Sequence, residues 1–239
     1  MNNWKSIWNS KAVITSIGDE SEYEYYCKLK KANGYDVAVE NEDRYFRSFY
    51  EGWIAFYNKI MELTDGNINS VFEVGCGSGV NLYMFKNRLS QGALFGGVDY
   101  SESMVKSAII STGSEDFKCC GADEILIEPK YDLVFSEGVF QYFESLEYAE
   151  TVITKMIGKA NKLVYIGELH DKKFESELME YRRKTIENYD EKYSGLKKQF
   201  YDRSWIEDIA SKHGKKVLFT GVDNPEYING KYEYNCFIY

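Results

Sequence analysis

Three glycines at alternate positions, directly after a short apolar run, constrain this chain more than any other feature. Residues 71–74 (Val-Phe-Glu-Val) have the composition of a buried strand, and a helical pattern begins at residue 81. Between them stand Gly75, Gly77 and Gly79, whose spacing predicts a tight turn. Such a turn between a strand and a helix lets backbone N–H groups approach a ligand closely. The sequence therefore predicts a nucleotide-like small molecule at the carboxyl end of this strand.

Strand and helix patterns alternate along the rest of the chain. Strands are predicted at residues 71–74, 94–98, 117–120, 131–136, 162–166, 217–220 and 234–239. Further helices are predicted at about 101–111, 145–157, 174–189 and 204–213. This alternation predicts an α/β fold with a doubly wound, mostly parallel seven-stranded sheet and helices on both faces. Because no helical pattern separates the last two strands, that pair is predicted to be antiparallel.

Residues 1–66 are predicted to form an N-terminal helical cap, or lid, on a Rossmann-like core at 67–239. The cap contains a helix at about 20–32 and a longer helix of about 23 residues, which Asn41 can cap. Only 2 prolines occur and no linker-like segment interrupts the middle of the chain. The 239 residues are therefore expected to form a single domain.

The charge balance and the cysteines restrict the partners and the compartment. With 29 Lys and Arg against 38 Asp and Glu, the net charge is −9, which repels a phosphate backbone, so no nucleic-acid partner is expected. The sequence shows neither a signal-peptide core nor the roughly 18 uninterrupted apolar residues of a membrane span. Its 5 cysteines include no CxxC pair, and no spacing suggests a metal site. We therefore expect a cytoplasmic protein without membrane contact or bound metal.

The spacing of the glycines distinguishes between kinds of nucleotide site. A dinucleotide fingerprint would have glycine at position 80, where this chain has Val80, and no G-K-[ST] follows as in a P-loop. Twenty residues after Gly79, Asp99 ends the second predicted strand, where a carboxylate can accept both hydroxyls of a ribose. The alternative is that Asp99 is an ordinary acid at the start of the next helix.

Four motifs that occur in order resemble those of the class I S-adenosylmethionine-dependent methyltransferases. They lie at residues 73–79 (EVGCGSG), 97–101 (GVDYS), 121–123 (GAD) and 131–139 (YDLVFSEGV). The resemblance covers about residues 71–166 and implies S-adenosylmethionine as the cofactor and S-adenosylhomocysteine as the product. It also implies a seven-stranded sheet whose last strand is antiparallel.

The resemblance implies a role for each matching residue. Gly75, Gly77 and Gly79 would form the turn under the methionine portion of the cofactor, with the Cys76 backbone between them. Glu73 would support that turn, partly through water. Ser136 and Glu137 would line the methionine amine and the methyl. Asp99 would hold the ribose hydroxyls. Residues that would surround the adenine are Tyr100, Met104, Ala122, Asp123 and Glu124. In relatives, an aromatic N-terminal segment often folds over the cofactor, which implies a lid here; the alternative is that these rings only cover the sheet. The aromatic residues concerned are Trp4, Trp8, Tyr23, Tyr25, Tyr26 and Tyr35.

Methyl transfer needs an aligned acceptor and, where the acceptor retains its proton, a base. Glu137 and His170 are the candidates for catalysis, because each follows a predicted strand at the carboxyl edge of the sheet, and Glu168 is a further base near that edge. For His170 a structural loop role is the alternative. The chain is thus predicted to methylate an oxygen or nitrogen of a small molecule, such as a sugar or a secondary metabolite, as a monomer or homodimer. Two alternatives stay open: a protein that binds S-adenosylmethionine without turnover, and an NAD-dependent oxidoreductase.

Overall fold

A seven-stranded β-sheet forms the centre of the computed structural model, which describes residues 4–11, 13–34 and 41–239. The strands are β1 (Ser70–Val74), β2 (Leu94–Asp99), β3 (Asp116–Cys119), β4 (Tyr131–Glu137), β5 (Ala160–His170), β6 (Val217–Gly221) and β7 (Glu233–Ile238). They run in the order β3-β2-β1-β4-β5-β7-β6, and β7 is antiparallel to both of its neighbours. The predicted mostly parallel sheet with an antiparallel last strand is confirmed.

Nine helices surround the sheet within the described ranges. They are α1 (Trp4–Asn9), α2 (Glu22–Asn33), α3 (Glu42–Leu63), α4 (Val80–Lys86), α5 (Glu102–Thr112), α6 (Leu146–Lys159), α7 (Glu175–Thr185), α8 (Tyr189–Lys192) and α9 (Arg203–Lys212). Helices α2 and α3 match the two predicted helices before the first strand, whereas α1 was not predicted. Tyr35 lies outside the described residues, as does the side chain of Trp4.

The prediction of one continuous helix at 174–189 is wrong. The chain forms α7 and α8 instead, because Ile186 is extended and Asn188 has a left-handed backbone with φ of 52°. Strand β5 is also longer than predicted. Its last residues pair with β7, so that His170 lies inside the strand rather than in the loop after it.

Helices cover both faces of the sheet, as predicted. Successive residues of a strand point to opposite faces, so Val134 of β4 belongs to one hydrophobic core while Leu133 and Phe135 belong to the other. Buried residues of α6 and α9 complete the first core. Buried residues of α2 to α5 complete the second. The N-terminal cap therefore packs directly on the sheet.

Strand β1 lies at the point where the strand order reverses, between β2 and β4. Connections from β1 and from β4 leave the sheet in opposite directions there, which opens a crevice at the carboxyl ends of the strands. The glycine turn follows β1 directly, Asp99 ends β2 and Glu137 ends β4. The fold thus brings three of the predicted site segments to one edge.

Candidate active site

The glycine turn after β1 is fixed by backbone hydrogen bonds from both sides. The Gly75 and Cys76 N–H groups both donate to the Val98 carbonyl, at 2.8 and 2.9 Å. Gly75 has a φ of 77°, and a Cβ there would overlap the side chain of Val139. A glycine is therefore required at this position both for the left-handed backbone and for the close approach of the loop after β4.

Asp99 connects the glycine turn to the next helix. Its Oδ2 accepts from the Gly77 N–H at 3.0 Å and its Oδ1 accepts from the Ser101 N–H at 2.8 Å. Burial raises the pKa of this carboxyl, although both hydrogen bonds oppose the shift. Each carboxylate oxygen has a second lone pair, so Asp99 can still accept two hydroxyl groups of a ligand.

A groove of about 390 Å³ runs along this edge of the sheet. The predicted site residues that line it are Gly75, Gly77, Asp99, Tyr100, Ala122, Glu124 and Glu137. Together they place glycine backbone, one aromatic ring and carboxylates around one space. This lining suits a nucleoside with a charged tail, because Asp99, which can accept ribose hydroxyls, ends β2 between the glycine turn after β1 and Ala122 after β3.

Several predicted cofactor residues lie outside the lining of this groove. Met104 is fully buried in α5, and Gly79 packs against Ala108 of the same helix. The Ser136 hydroxyl donates to the Val74 carbonyl at 2.8 Å, between neighbouring strands. Asp123 accepts from the Tyr148 hydroxyl at 2.9 Å, and it is Tyr148 that lines the groove. Their cofactor contacts stay predictions.

Glu73 supports the glycine turn from beneath. The carboxyl is 2 % exposed, and its Oε1 accepts from the Asn81 side chain at 2.7 Å. Its Oε2 has no hydrogen-bond partner among the described residues, and burial raises its pKa well above the ordinary value. An unpartnered buried oxygen beside Gly75 and Cys76, which line the same cavity, fits a ligand that supplies a hydrogen-bond donor there.

Two further cavities, of about 430 and 210 Å³, are lined in part by the same elements, and the larger one shares Gly75, Trp8 and Tyr142 with the groove. Both are lined by Glu137 and by Glu168 of β5, a second carboxylate at the same edge of the sheet. Burial and the nearby Glu168 raise the pKa of Glu137 to about 7. Glu137 is thus shared by the groove and by both cavities, and connects them.

His170 is buried at the end of β5. Its Nε2 lies 3.3 Å from Glu233 Oε1, and its ring packs against Phe200. Burial lowers the pKa of His170 and raises that of Glu233, which disfavours the charged form of each group. The Tyr227 hydroxyl, whose residue lines the larger cavity, also contacts Glu233 Oε1. His170 itself does not line these cavities, and its catalytic role stays a prediction.

Some residues of the site were not among the predicted cofactor-binding or catalytic residues, although Trp8 belongs to the aromatic segment that was predicted to form a lid. Trp8 of α1 and Tyr142 both line the groove, and their rings meet edge to face with centroids 5.9 Å apart. Asn33, at the end of α2, accepts from the Ser78 N–H at 2.7 Å. The aromatic N-terminal segment was the signal for Trp8, whereas the sequence gives no signal for Asn33, because its partner is 45 residues away.

Comparison with known proteins agrees with this geometry. A family model described as a methyltransferase domain matches residues 72–164, from β1 into β5. Residues 72–164 are thus similar to a methyltransferase domain, and this region contains the glycine turn, Asp99 and Glu137.

The proteins that this chain resembles are distant in sequence. Over 98 residues the chain is 28% identical to malonyl-[acyl-carrier protein] O-methyltransferase from Priestia megaterium; the match covers 40% of this chain and 35% of that protein. Magnesium protoporphyrin IX methyltransferase from Synechocystis PCC 6803, with bound S-adenosylhomocysteine, superposes with a TM-score of 0.63 at 15% identity, covering 98% of this chain and 95% of that one. An S-adenosylmethionine-dependent methyltransferase from Clostridium acetobutylicum gives a TM-score of 0.58 at 13% identity, covering 90% and 96%.

Proposed function

We propose that this protein is an S-adenosylmethionine-dependent methyltransferase that acts on an oxygen or nitrogen of a small molecule. The observation that carries the proposal is the groove in which Asp99 and Glu137 lie on either side of the glycine turn. It is supported by the similarity of residues 72–164 to a methyltransferase domain and by the bound S-adenosylhomocysteine of the Synechocystis structure.

The residues present fit this cofactor. The glycine turn and the unpartnered Oε2 of Glu73 would hold its methionine portion, and Asp99 would hold the ribose hydroxyls. Tyr100 and Ala122 would enclose the adenine. Val80 replaces the glycine that a dinucleotide fingerprint needs, so the oxidoreductase alternative has less support.

When bound, S-adenosylmethionine supplies an electrophilic methyl group on a good leaving group. The protein's own contribution is to align the acceptor, to exclude water and to accept a proton where the acceptor carries one. Trp8 and Tyr142, in contact across the groove, are placed to exclude water. Glu137, with its pKa raised to about 7, is placed to accept a proton near neutral pH.

The acceptor is proposed to be a small molecule rather than a nucleic acid. The net charge of −9 supports this, because an acidic surface repels a phosphate backbone. The odd number of cysteines, with no CxxC pair, supports a cytoplasmic location. Within the described ranges, no helix combines the length and apolar character needed to cross a bilayer.

Calorimetric titration of the full chain with S-adenosylhomocysteine tests the cofactor. We expect saturable binding, and Asp99→Asn should weaken it roughly 10- to 100-fold, because a charge-assisted acceptor for two hydroxyls is worth about 1–3 kcal/mol. The matched control is Asp208→Asn, the same change at an exposed position of α9. No binding of the wild type at millimolar ligand would overturn the proposal, whereas saturable NADH binding in its place would favour an oxidoreductase.

Turnover requires a separate measurement. Incubation with a methyl-labelled donor and pools of small acceptors should transfer label to a product. Binding of S-adenosylhomocysteine without transfer to any acceptor would instead favour a protein that binds the cofactor without turnover.

A further inference from the structure

We infer that the acceptor is a cationic amine, held by the paired carboxylates of Glu137 and Glu168 within an aromatic chamber. This inference rests on the proposed function and narrows it to one class of acceptor.

The two carboxylates come from neighbouring parallel strands. Glu137 ends β4 and pairs in register with Gly167, so Glu168 comes one residue further along β5. A Cβ added to Gly138 would lie 2.8 Å from Glu168 Oε2. The Glu168 carboxylate therefore rests against the backbone directly after Glu137, and the two side chains line the same two cavities.

Glu168 is held there by an irregular backbone. The pairing of β5 with β7 shifts between Ile166 and Leu169, and Glu168 has a φ of 57° in the left-handed region that favours glycine. The Asn235 side chain accepts from the Glu168 N–H at 3.1 Å and fixes this bulge. A β-bulge changes the direction of the side chains in its strand. A residue other than glycine keeps a left-handed backbone only where the surrounding structure stabilises that conformation. The strained backbone of Glu168 therefore coincides with a second acidic side chain, next to Glu137, at the carboxyl edge of the sheet.

The acidic groups outnumber the nearby cations. Three lysines line the two cavities: Lys30 of α2 faces the pair, Lys59 is bonded to Glu62, and Lys11 lies over the Trp8 ring. On the acidic side, Glu73 of β1 and Asp223 add two further carboxyl groups to Glu137 and Glu168. Two carboxylates that share a site ionise together only when positive charge is supplied. Because Lys59 is engaged by Glu62 and Lys11 by Trp8, Lys30 is the lysine whose charge acts on the pair, and an acceptor ammonium would add the second positive charge.

Aromatic rings close the space around the pair. The rings that line one or both cavities include those of Tyr26, Phe49, Trp53, Phe56, Tyr165 and Tyr227. The faces of such rings attract cations, and the Lys30 Nζ already lies 4.6 Å from the centre of the Phe49 ring. Carboxylates combined with aromatic faces repel an acidic acceptor and favour an ammonium group over a neutral hydroxyl, because the ammonium adds charge pairing and a cation–π contact to its hydrogen bonds.

The same two carboxylates can convert the bound ammonium to the neutral amine, which is the form that reacts. The ammonium donates one proton to the carboxylate pair, which frees the nitrogen lone pair. That lone pair forms the N–C bond to the donor's methyl group as the S–C bond breaks, and the electron pair of the broken bond stays on sulfur. The methylated ammonium leaves as a cation, and the carboxyl proton passes to solvent.

The test compares three ligands of one shape on the full chain saturated with S-adenosylhomocysteine. Benzylammonium, benzyl alcohol and benzoate are titrated calorimetrically at neutral pH. We expect benzylammonium to bind at least about tenfold tighter than benzyl alcohol, and benzoate not to saturate. Equal or tighter binding of the alcohol or of benzoate would overturn the inference without any variant.

Glu168→Gln removes the charge and keeps the shape. We expect about tenfold weaker benzylammonium binding with the affinity for benzyl alcohol and S-adenosylhomocysteine within about twofold, the latter also showing that the variant is folded. Glu115→Gln, the same change at an exposed residue before β3, is the control. Unchanged benzylammonium binding in Glu168→Gln would overturn the inference. A wild type that binds no S-adenosylhomocysteine would overturn the proposed function itself, which separates the two failures.

Discussion

At the scale of single residues, the site concentrates carboxyl groups that burial keeps from ionising freely. Glu73, Asp99, Glu137 and Glu168 all have raised pKa values, and desolvation is the largest cause for each. A buried carboxylate costs stability when it ionises without a compensating cation. In the free protein, ionisation of these carboxyl groups therefore lowers the free energy of unfolding, and a bound ligand with positive charge reduces this loss.

Glu137→Gln should stabilise the free protein in a pH-dependent way. The folded pKa of Glu137 is about 7, above the ordinary value of 4.5, so between these values the folded state binds more protons than the unfolded state. The free energy of unfolding of the wild type then falls as pH rises through this window. Relative to the wild type, the variant should gain about 1–3 kcal/mol between pH ~5 and pH ~8. Urea unfolding at both pH values measures this gain; an equal difference at both, or the same gain in Glu115→Gln, contradicts the prediction.

Residues whose partners lie close along the chain were predictable. The glycine turn and Asp99 follow from local spacing, since the turn and the end of β2 meet wherever β1 and β2 are neighbours. The strand pattern predicts Glu168 near the carboxyl edge of the sheet, but its exact placement beside Glu137 depends on a bulge against β7, which no local pattern encodes. Tyr148 similarly reaches the groove from α6 through its bond to Asp123, a contact between residues 25 positions apart.

At the scale of elements, helix α2 is part of the binding site because it is bonded to the glycine turn. Ser78 donates through its N–H to Asn33 Oδ1 and through its hydroxyl to the Leu29 carbonyl, at 2.7 and 2.9 Å. On the other side, the Ser111 hydroxyl of α5 donates to the Ser78 carbonyl. The turn is thus held between a cap helix and a core helix.

Asn33→Ala should weaken cofactor binding without abolishing folding. The change removes the acceptor of the Ser78 N–H, which then hydrogen-bonds to water, and the turn becomes less rigid. The loss of one hydrogen bond is worth about 1 kcal/mol, so the dissociation constant of S-adenosylhomocysteine should rise roughly fivefold. Calorimetry on the variant beside Asn161→Ala, an exposed asparagine of β5, provides the comparison. If both variants bind as tightly as the wild type, α2 does not position the turn.

At the scale of the whole molecule, the N-terminal segment extends across the core to the groove. The Ser101 hydroxyl donates to the Trp8 carbonyl at 3.3 Å, and the Ile14 N–H donates to the Ser107 hydroxyl at 2.9 Å. Both serines flank or belong to α5, on the β2 side of the sheet. Tyr142, which Trp8 contacts, follows β4. The segment therefore bridges the two halves of the sheet over the proposed cofactor site.

Trp8→Ala should shorten the residence time of the cofactor more than it changes the fold. The half-buried Trp8 ring closes the groove against Tyr142, and aromatic contacts of this kind are worth about 0.5–1.5 kcal/mol beyond their buried area. Since such losses affect dissociation more than association, S-adenosylhomocysteine should leave the variant roughly tenfold faster, with an association rate close to that of the wild type. Stopped-flow displacement measures both rates. Ile17→Ala, an exposed residue of the same segment, should leave both unchanged. An unaltered dissociation rate in Trp8→Ala would mean that the segment covers the sheet without acting as a lid.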